Sequence, residues 1–89
     1  MIACDQSVCR FSGPLTVDTV GSELAALRPH LARGITRLDF SGVHSADSAA
    51  LALIFGAQRA AHAPLTLSGL PESFVTLAEL YGVSDLLPA

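Results

Sequence analysis

One segment of this sequence, residues 48–62, limits the possible folds more than any other because it carries almost no charge. Only Gln58, Arg59 and His62 interrupt a run of small and apolar residues. The apolar positions that recur with helical spacing form one stripe: Ala50, Leu53, Ile54, Ala57 and Ala61. A helix that is apolar on nearly every side either lies between two layers or covers a partner. We therefore expect this helix to pack on a sheet and to keep apolar side chains outside the stripe.

Strand patterns and helical patterns alternate along the chain. The segments with the alternation of strands are residues 2–4, 8–11, 35–40 and 65–68. The segments with helical periodicity are residues 18–34, 48–62 and 71–82. This order, β-β-α-β-α-β-α, predicts an α/β fold with one small mixed sheet of about four strands, packed with about three or four helices. The length of 89 residues predicts a single domain over residues 1–89.

The first predicted helix contains a conflict at Pro29. The residues with the spacing of a buried helix face are Val20, Leu24, Leu27 and Leu31. Glu23 falls outside that stripe and is expected to face solvent. Pro29 removes one backbone hydrogen bond and disfavours helical geometry at Arg28. We therefore expect a kink or an early end of the helix at this point.

Composition excludes several classes of protein. The net charge is −3, and all five basic residues are arginines scattered along the chain. Nucleic-acid binding depends on a dense basic patch, so we expect no nucleic-acid partner. No apolar run reaches the roughly 18 residues of a membrane-spanning helix. The first residues lack the basic start of a signal peptide, so the expected location is the cytoplasm.

The two cysteines, Cys4 and Cys9, allow two arrangements. A hairpin would bring them opposite each other, which makes a disulfide geometrically possible. Because cytoplasmic thiols are usually reduced, we expect two buried thiols instead. Their spacing fits no common set of metal ligands, and no cluster of histidines or carboxylates lies near them in sequence, so no metal site is expected. The sequence also lacks a Gly-rich phosphate loop, and no cofactor is expected.

Polar residues concentrate between the third predicted strand and the helix over residues 48–62. Asp47 and Ser48 are the natural candidates for the N-cap of that helix. A helix start exposes unpaired backbone N–H groups and a partial positive charge, which favour an anion or a phosphoryl group. The same two residues also serve as simple caps in many domains, so their position alone leaves both roles open.

Two motifs at this junction resemble the signature of STAS domains. Residues 38–43 (LDFSGV) resemble that family's strand ending in hydrophobic-Asp-hydrophobic-Ser-Gly, and residues 47–51 (DSAAL) resemble its Asp-Ser/Thr-x-Gly-Leu helix start. Ala50 stands where the family usually has glycine. Residues 77–83 (LAELYGV) and 86–88 (LLP) are most similar to the small STAS subunit of the bacterial Mla phospholipid-transport ABC complex.

The resemblance implies a binding protein rather than an enzyme. In Mla-type complexes the STAS subunit binds the cytoplasmic ATPase subunit at the inner-membrane face, and the complex moves phospholipids to maintain outer-membrane lipid asymmetry. In anti-sigma factor antagonists, which share the fold, the serine corresponding to Ser48 is phosphorylated by a partner serine kinase and binding is lost. We favour the Mla-type function because a chain with 15% charged residues suits a permanently bound subunit. The antagonist is the alternative, and a self-associating scaffold without a regulated partner is a third class that the apolar surface leaves open.

Ser48 is the predicted docking residue and the candidate phosphorylation site. The predicted partner-binding residues around it are Asp47, Ser45, His44, Leu51 and Phe55. A small hydroxyl at a helix start lets a partner backbone approach closely, and Leu51 and Phe55 would offer apolar contact. A catalytic role for His44, Asp47 and Ser48 is not expected, because the sequence has no Gly-x-Ser-x-Gly motif and no ordered Asp–His–Ser relay.

Overall fold

The computed structural model describes residues 1–72 and Thr76. Its elements in chain order are β1 (Ile2–Cys4), β2 (Val8–Ser12), α1 (Val20–Ala32), β3 (Arg37–Gly42), α2 (Ala49–Ala60) and β4 (Thr66–Ser68). The order of these six elements is the predicted one, with boundaries that differ by a few residues. The predicted third helix, residues 71–82, lies almost entirely outside the described residues.

The strands form one mixed sheet in the order β1-β2-β3-β4. β1 pairs antiparallel with β2, while β3 runs parallel to both β2 and β4. α1 connects β2 to β3, and α2 connects β3 to β4. Because both connections step in the same direction across the sheet, right-handed crossovers place both helices on one face. α1 accordingly contacts α2 and also β1. The prediction of an α/β fold with one small mixed sheet is confirmed.

The core lies between the sheet and the two helices, and it follows from strand alternation. Phe11 of β2 and Phe40 of β3 are buried, and their rings stack with centroids 4.9 Å apart. On the opposite face of the sheet, residues such as Arg37 and Thr66 are exposed. The predicted stripe of α2 is confirmed at its fully buried members, which are Ala50, Leu53, Ile54 and Ala57. Ala61 packs against the same cluster at its edge.

Of the two alternatives expected at Pro29, a kink or an early end of α1, the early end does not occur, because the helix continues through Pro29 to Ala32. Leu27 and Leu31 are both buried, and packing of this apolar face holds the helix together across the hydrogen bond that proline removes. Glu23, expected to face solvent, is buried instead, and its carboxylate pairs with the amino group of Met1. A buried carboxylate requires such a partner.

The cysteines are bonded to each other, so the expectation of two free thiols is wrong. Cys4 and Cys9 face each other in the β1–β2 register, with Cα atoms 4.0 Å apart, and form a disulfide. Backbone hydrogen bonds join Asp5 to Val8, the next pair along, which makes Cys4–Cys9 a non-hydrogen-bonded pair of the ladder. Side chains approach most closely at such pairs. The register of the hairpin therefore brings the two cysteines together and allows the bond, although the expected cytoplasmic location had favoured free thiols.

Candidate partner-docking site

The end of β3 is fixed by the residues of the LDFSG motif. Asp39 Oδ1 accepts a hydrogen bond from the Ser41 amide at 2.9 Å. This bond and a second one from the Ser41 hydroxyl hold the pKa of Asp39 below its usual value, and the Arg10 guanidinium adds to the effect. A Cβ atom at Gly42 would lie 2.9 Å from the Phe11 carbonyl oxygen. Glycine at this position therefore lets β2 and β3 approach closely where the loop begins.

The loop after β3 is held against the segment that follows β2. The Leu15 amide donates to the Ser45 carbonyl oxygen at 2.9 Å, and the Asp47 amide donates to the Leu15 carbonyl oxygen at 3.2 Å. These two bonds form a short parallel bridge between Leu15 and Ala46. Because the Leu15 side chain is fully buried, the bridge anchors the loop to the core.

Asp47 connects the loop, the start of α2 and the segment that precedes α1. Its Oδ1 accepts a hydrogen bond from the Ala49 amide at 2.8 Å, and its Oδ2 accepts one from the Val17 amide at 3.1 Å. Asp47 therefore supplies the side-chain cap of α2, although Ser48 occupies the N-cap position. Since both carboxylate oxygens bond to backbone amides, the direct role of Asp47 is to hold the loop in place.

Ser48 presents its hydroxyl to solvent at the start of α2. The residue is exposed, and its side chain makes no capping hydrogen bond. The first amides of a helix lack intrahelical partners, so a hydrogen-bonding group from another molecule would meet donors here. His44 and Ser45 are also exposed, in the same loop. Three of the six predicted site residues are thus exposed within residues 44–48.

The apolar part of the predicted site differs from the expectation. Leu51 is only 5% exposed, so the prediction that it offers apolar contact to a partner is wrong. Its side chain is enclosed by the fold, which helical periodicity within α2 does not reveal. Phe55 is half-buried and packs against the core, leaving part of its ring accessible.

Val17 supplies apolar surface that the sequence analysis missed. Its side chain is 73% exposed, and its amide donates to Asp47, which places it beside the start of α2. The available signal was weak, because Val17 lies between Thr16 and Asp18 and belongs to no periodic pattern. We call the exposed group His44, Ser45, Ser48 and Val17 the Ser48 surface.

A family model described as "Mlab, STAS domain" matches residues 3–88 of the chain. The chain belongs to the STAS domain family. No curated protein matches it. The motif that carries the resemblance has a structural explanation in this STAS domain, since Asp39 and Gly42 shape the end of β3 and Asp47 caps α2.

Two further observations concern what this STAS domain could bind or contact. None of the helices in the described part of the chain is both long and apolar enough to cross a bilayer. Among the described residues, three side chains group as possible metal ligands: Cys4, Cys9 and His30. His30 is distant from the cysteines in sequence and comes to them only through the packing of α1 against the hairpin.

Proposed function

We propose that this STAS domain is a non-enzymatic subunit that binds the ATPase of an ABC phospholipid transporter through the Ser48 surface. It would act at the cytoplasmic face of the inner membrane and support a complex that maintains outer-membrane lipid asymmetry. The proposal is supported by the match to an MlaB-type family model over nearly the whole chain.

The observation that carries the proposal is the contrast between a fixed backbone and free side chains at the Ser48 surface. Asp47 and the Leu15 bridge hold the loop in one position. The Ser48 hydroxyl and the Val17 side chain are nevertheless exposed. A preorganised surface loses little conformational entropy when a partner binds, so such a surface favours docking. An exposed hydroxyl and an exposed apolar side chain on one surface offer a partner a hydrogen bond and an apolar contact.

The same geometry makes Ser48 sensitive to added negative charge. A phosphate would carry a charge of about −2 next to the Asp47 carboxylate. Two unit charges roughly 5 Å apart repel by about 3 kcal/mol at an effective dielectric near 20, and solvent reduces this value at an exposed site. The helix N-terminus returns only about 0.3–1 kcal/mol. This repulsion acts in the free and the bound protein alike, but burial of the added charge against a partner would cost more, so a charge at Ser48 would oppose docking.

This sensitivity also favours the second candidate function. An anti-sigma factor antagonist would present Ser48 to a serine kinase, and the exposed hydroxyl at the start of α2 is accessible to such an enzyme. The two candidates share the surface and differ in the partner. Phosphorylation would end the interaction in the antagonist, whereas the transporter subunit would remain bound without a phosphorylation cycle.

A binding experiment with both partner classes separates the candidates. The purified chain is titrated against an ABC transporter ATPase subunit and, separately, against an anti-sigma serine kinase supplied with ATP. We expect a one-to-one complex with the ATPase subunit and no transfer of phosphate to Ser48. Phosphorylation of Ser48 without binding to the ATPase subunit would establish the antagonist instead. Absence of binding to either partner would contradict both candidates.

A further inference from the structure

A second group of chemically active side chains lies at the end of the sheet opposite to the Ser48 surface. The two Sγ atoms of Cys4 and Cys9 and one ring nitrogen of His30 all lie within 4.8 Å of one another. The cysteines belong to the β1–β2 hairpin, and His30 belongs to the last turn of α1. Because β2 and β3 are parallel and Ser48 follows the far end of β3, this cluster is separate from the docking site.

We propose that this cluster is a redox-gated zinc site. In the oxidised protein the Cys4–Cys9 disulfide closes it. In the reduced protein the two thiolates and the His30 imidazole would bind one Zn²⁺ ion, with water in the fourth position. Thiolate sulfur and imidazole nitrogen are the ligands that zinc prefers, and zinc sites with three protein ligands keep one open position. His30 and Cys4 are both only half-buried, which leaves an approach for the ion and the water.

The ligand atoms can reach the geometry of a tetrahedral ion once the disulfide is cleaved and the two sulfurs move apart. With Zn–S bonds of about 2.3 Å, two sulfur ligands lie roughly 3.8 Å apart. The sulfurs must separate to that distance after the disulfide is cleaved, and rotation about the Cα–Cβ bonds of the cysteines moves the sulfurs while the strands stay paired. Backbone hydrogen bonds from Asp5 to Val8 and from Ser12 to Met1 hold the two strands together on either side of the cysteines.

Arg33 is hydrogen-bonded to His30 in the oxidised protein and would compete with the zinc ion for this histidine. Its Nε donates to His30 Nδ1 at 3.1 Å, and its Nη2 donates to the Asp5 carbonyl oxygen at 2.6 Å. An imidazole that binds a metal through one nitrogen normally carries a proton on the other, which then acts as a donor. Zinc binding therefore requires the Arg33–His30 hydrogen bond to break. Since these side chains are hydrogen-bonded at an exposed position, that cost is modest.

The opening step is thiol–disulfide exchange with a dithiol reductant. A thiolate of the reductant attacks the sulfur of Cys4, because Cys9 is fully buried, and forms a mixed disulfide while Cys9 leaves as a thiolate. The second thiol of the reductant then attacks its own sulfur in the mixed disulfide and releases Cys4. Two electrons and two protons pass from the reductant to the protein. Zinc subsequently displaces the two thiol protons.

The test compares the affinity of the full chain for Zn²⁺ in its oxidised form and after reduction with a phosphine that does not compete as a thiol ligand. Affinity is measured by competition with a chromophoric zinc chelator. We expect the reduced protein to bind one equivalent of Zn²⁺ at least 100-fold more tightly than the oxidised protein. Reduced His30→Ala should bind at least tenfold more weakly than the reduced wild type, whereas the control His62→Ala, at an exposed histidine, should match it.

Two results would overturn the proposal. One is equal zinc affinity of the oxidised and reduced proteins. The other is a His30→Ala variant that binds as tightly as His62→Ala, which would show that the cysteines act without this histidine. The comparison of His30→Ala with His62→Ala also detects a protein that unfolds on reduction. In an unfolded chain the two substitutions would change the zinc affinity equally. Circular dichroism of each reduced variant records whether the fold is retained.

Discussion

The side chains of Asp5 and Arg33 at one end of the sheet differ in their hydrogen bonding from the side chain of Ser48 at the other end. At the hairpin end the side chains bond within the chain: the Asp5 carboxylate binds neighbouring amides, and Arg33 joins Asp5 to His30. At the other end Ser48 and Val17 are exposed, and the Ser48 side chain makes no capping bond. Side chains that are satisfied internally stabilise the fold, whereas those that are left exposed on a fixed backbone are available to a partner. We therefore associate the internally bonded side chains of the hairpin end with stability, and the exposed side chains of the other end with the docking that we propose.

The Ser48 end is not simply less ordered than the hairpin end. Asp47 and the Leu15 bridge fix its backbone with hydrogen bonds of 2.8–3.2 Å. The difference therefore lies in the side chains at the surface and not in the packing beneath them. Substitutions at the two ends should therefore have different consequences for stability and for binding.

The largest effect on stability is expected from the disulfide. Cys4→Ser should lower the free energy of unfolding by about 2 kcal/mol, because the cross-link no longer restricts the unfolded chain. Urea denaturation of the variant and of the wild type measures the difference. Ser48→Ala, at the other end, should change the same free energy by less than about 0.5 kcal/mol. Equal losses in the two variants would remove the distinction between the ends.

The wild type under reducing conditions is the control for the disulfide prediction. Without added metal, it should lose the same stability as Cys4→Ser, since both lack the Cys4–Cys9 bond. A Cys4→Ser variant that is less stable than the reduced wild type would indicate that the serine itself disturbs the hairpin.

The next effect concerns the residue that fixes the docking end. Asp47→Ala should lower the free energy of unfolding by about 1–2 kcal/mol, because the amides of Val17 and Ala49 lose their acceptors. Asp47→Asn keeps a single acceptor oxygen, so its stability should lie between Asp47→Ala and the wild type. Denaturation of the three proteins checks this order. A neutral Asp47→Ala would contradict the role of Asp47 in holding the loop.

The smallest effect is a pH dependence at the hairpin end. The amides of Ser7 and Val8, followed by the Arg10 guanidinium, hold the pKa of Asp5 below its unfolded value of 3.8. A lowered folded pKa means that this stabilisation is complete above that unfolded value and is lost as the pH falls through the folded pKa. Asp5→Asn should therefore lose less stability than the wild type on acidification.

Thermal unfolding of both proteins across a pH series measures this difference. The control is the range near neutral pH, where Asp5 is ionised in the folded and unfolded states and the two proteins should show parallel curves. Parallel curves below the unfolded pKa of 3.8 as well would show that the hydrogen bonds of Asp5 do not stabilise the hairpin.

Local patterns predicted the element order and the helix stripe, because periodicity depends on neighbouring residues only. Ala50, Leu53 and Ile54 are buried as their spacing indicated. Contacts between distant segments were not predictable in this way. His30 reaches the cysteines through the packing of α1, and Leu51 is enclosed although it lies outside the α2 stripe.

The candidate site also contains some residues that local patterns predicted and others that they did not. His44, Ser45 and Ser48 are exposed in one loop, as a loop before a helix start suggests. The bond from Val17 to Asp47 spans 30 residues of sequence, so no local pattern could place Val17 beside Ser48. The disulfide required the hairpin register, which the turn at Asp5 sets through its hydrogen bonds.

The most direct test of docking through the Ser48 surface is a calorimetric titration of the transporter ATPase subunit with two single-charge variants. Ser48→Glu adds a negative charge at the docking surface, and Gln6→Glu adds one at the exposed hairpin turn, at the opposite end of the sheet. We expect Ser48→Glu to bind at least tenfold more weakly than the wild type, a loss of about 1.4 kcal/mol, and Gln6→Glu to bind unchanged. Wild-type affinity in Ser48→Glu, or an equal loss in both variants, would contradict docking at this surface.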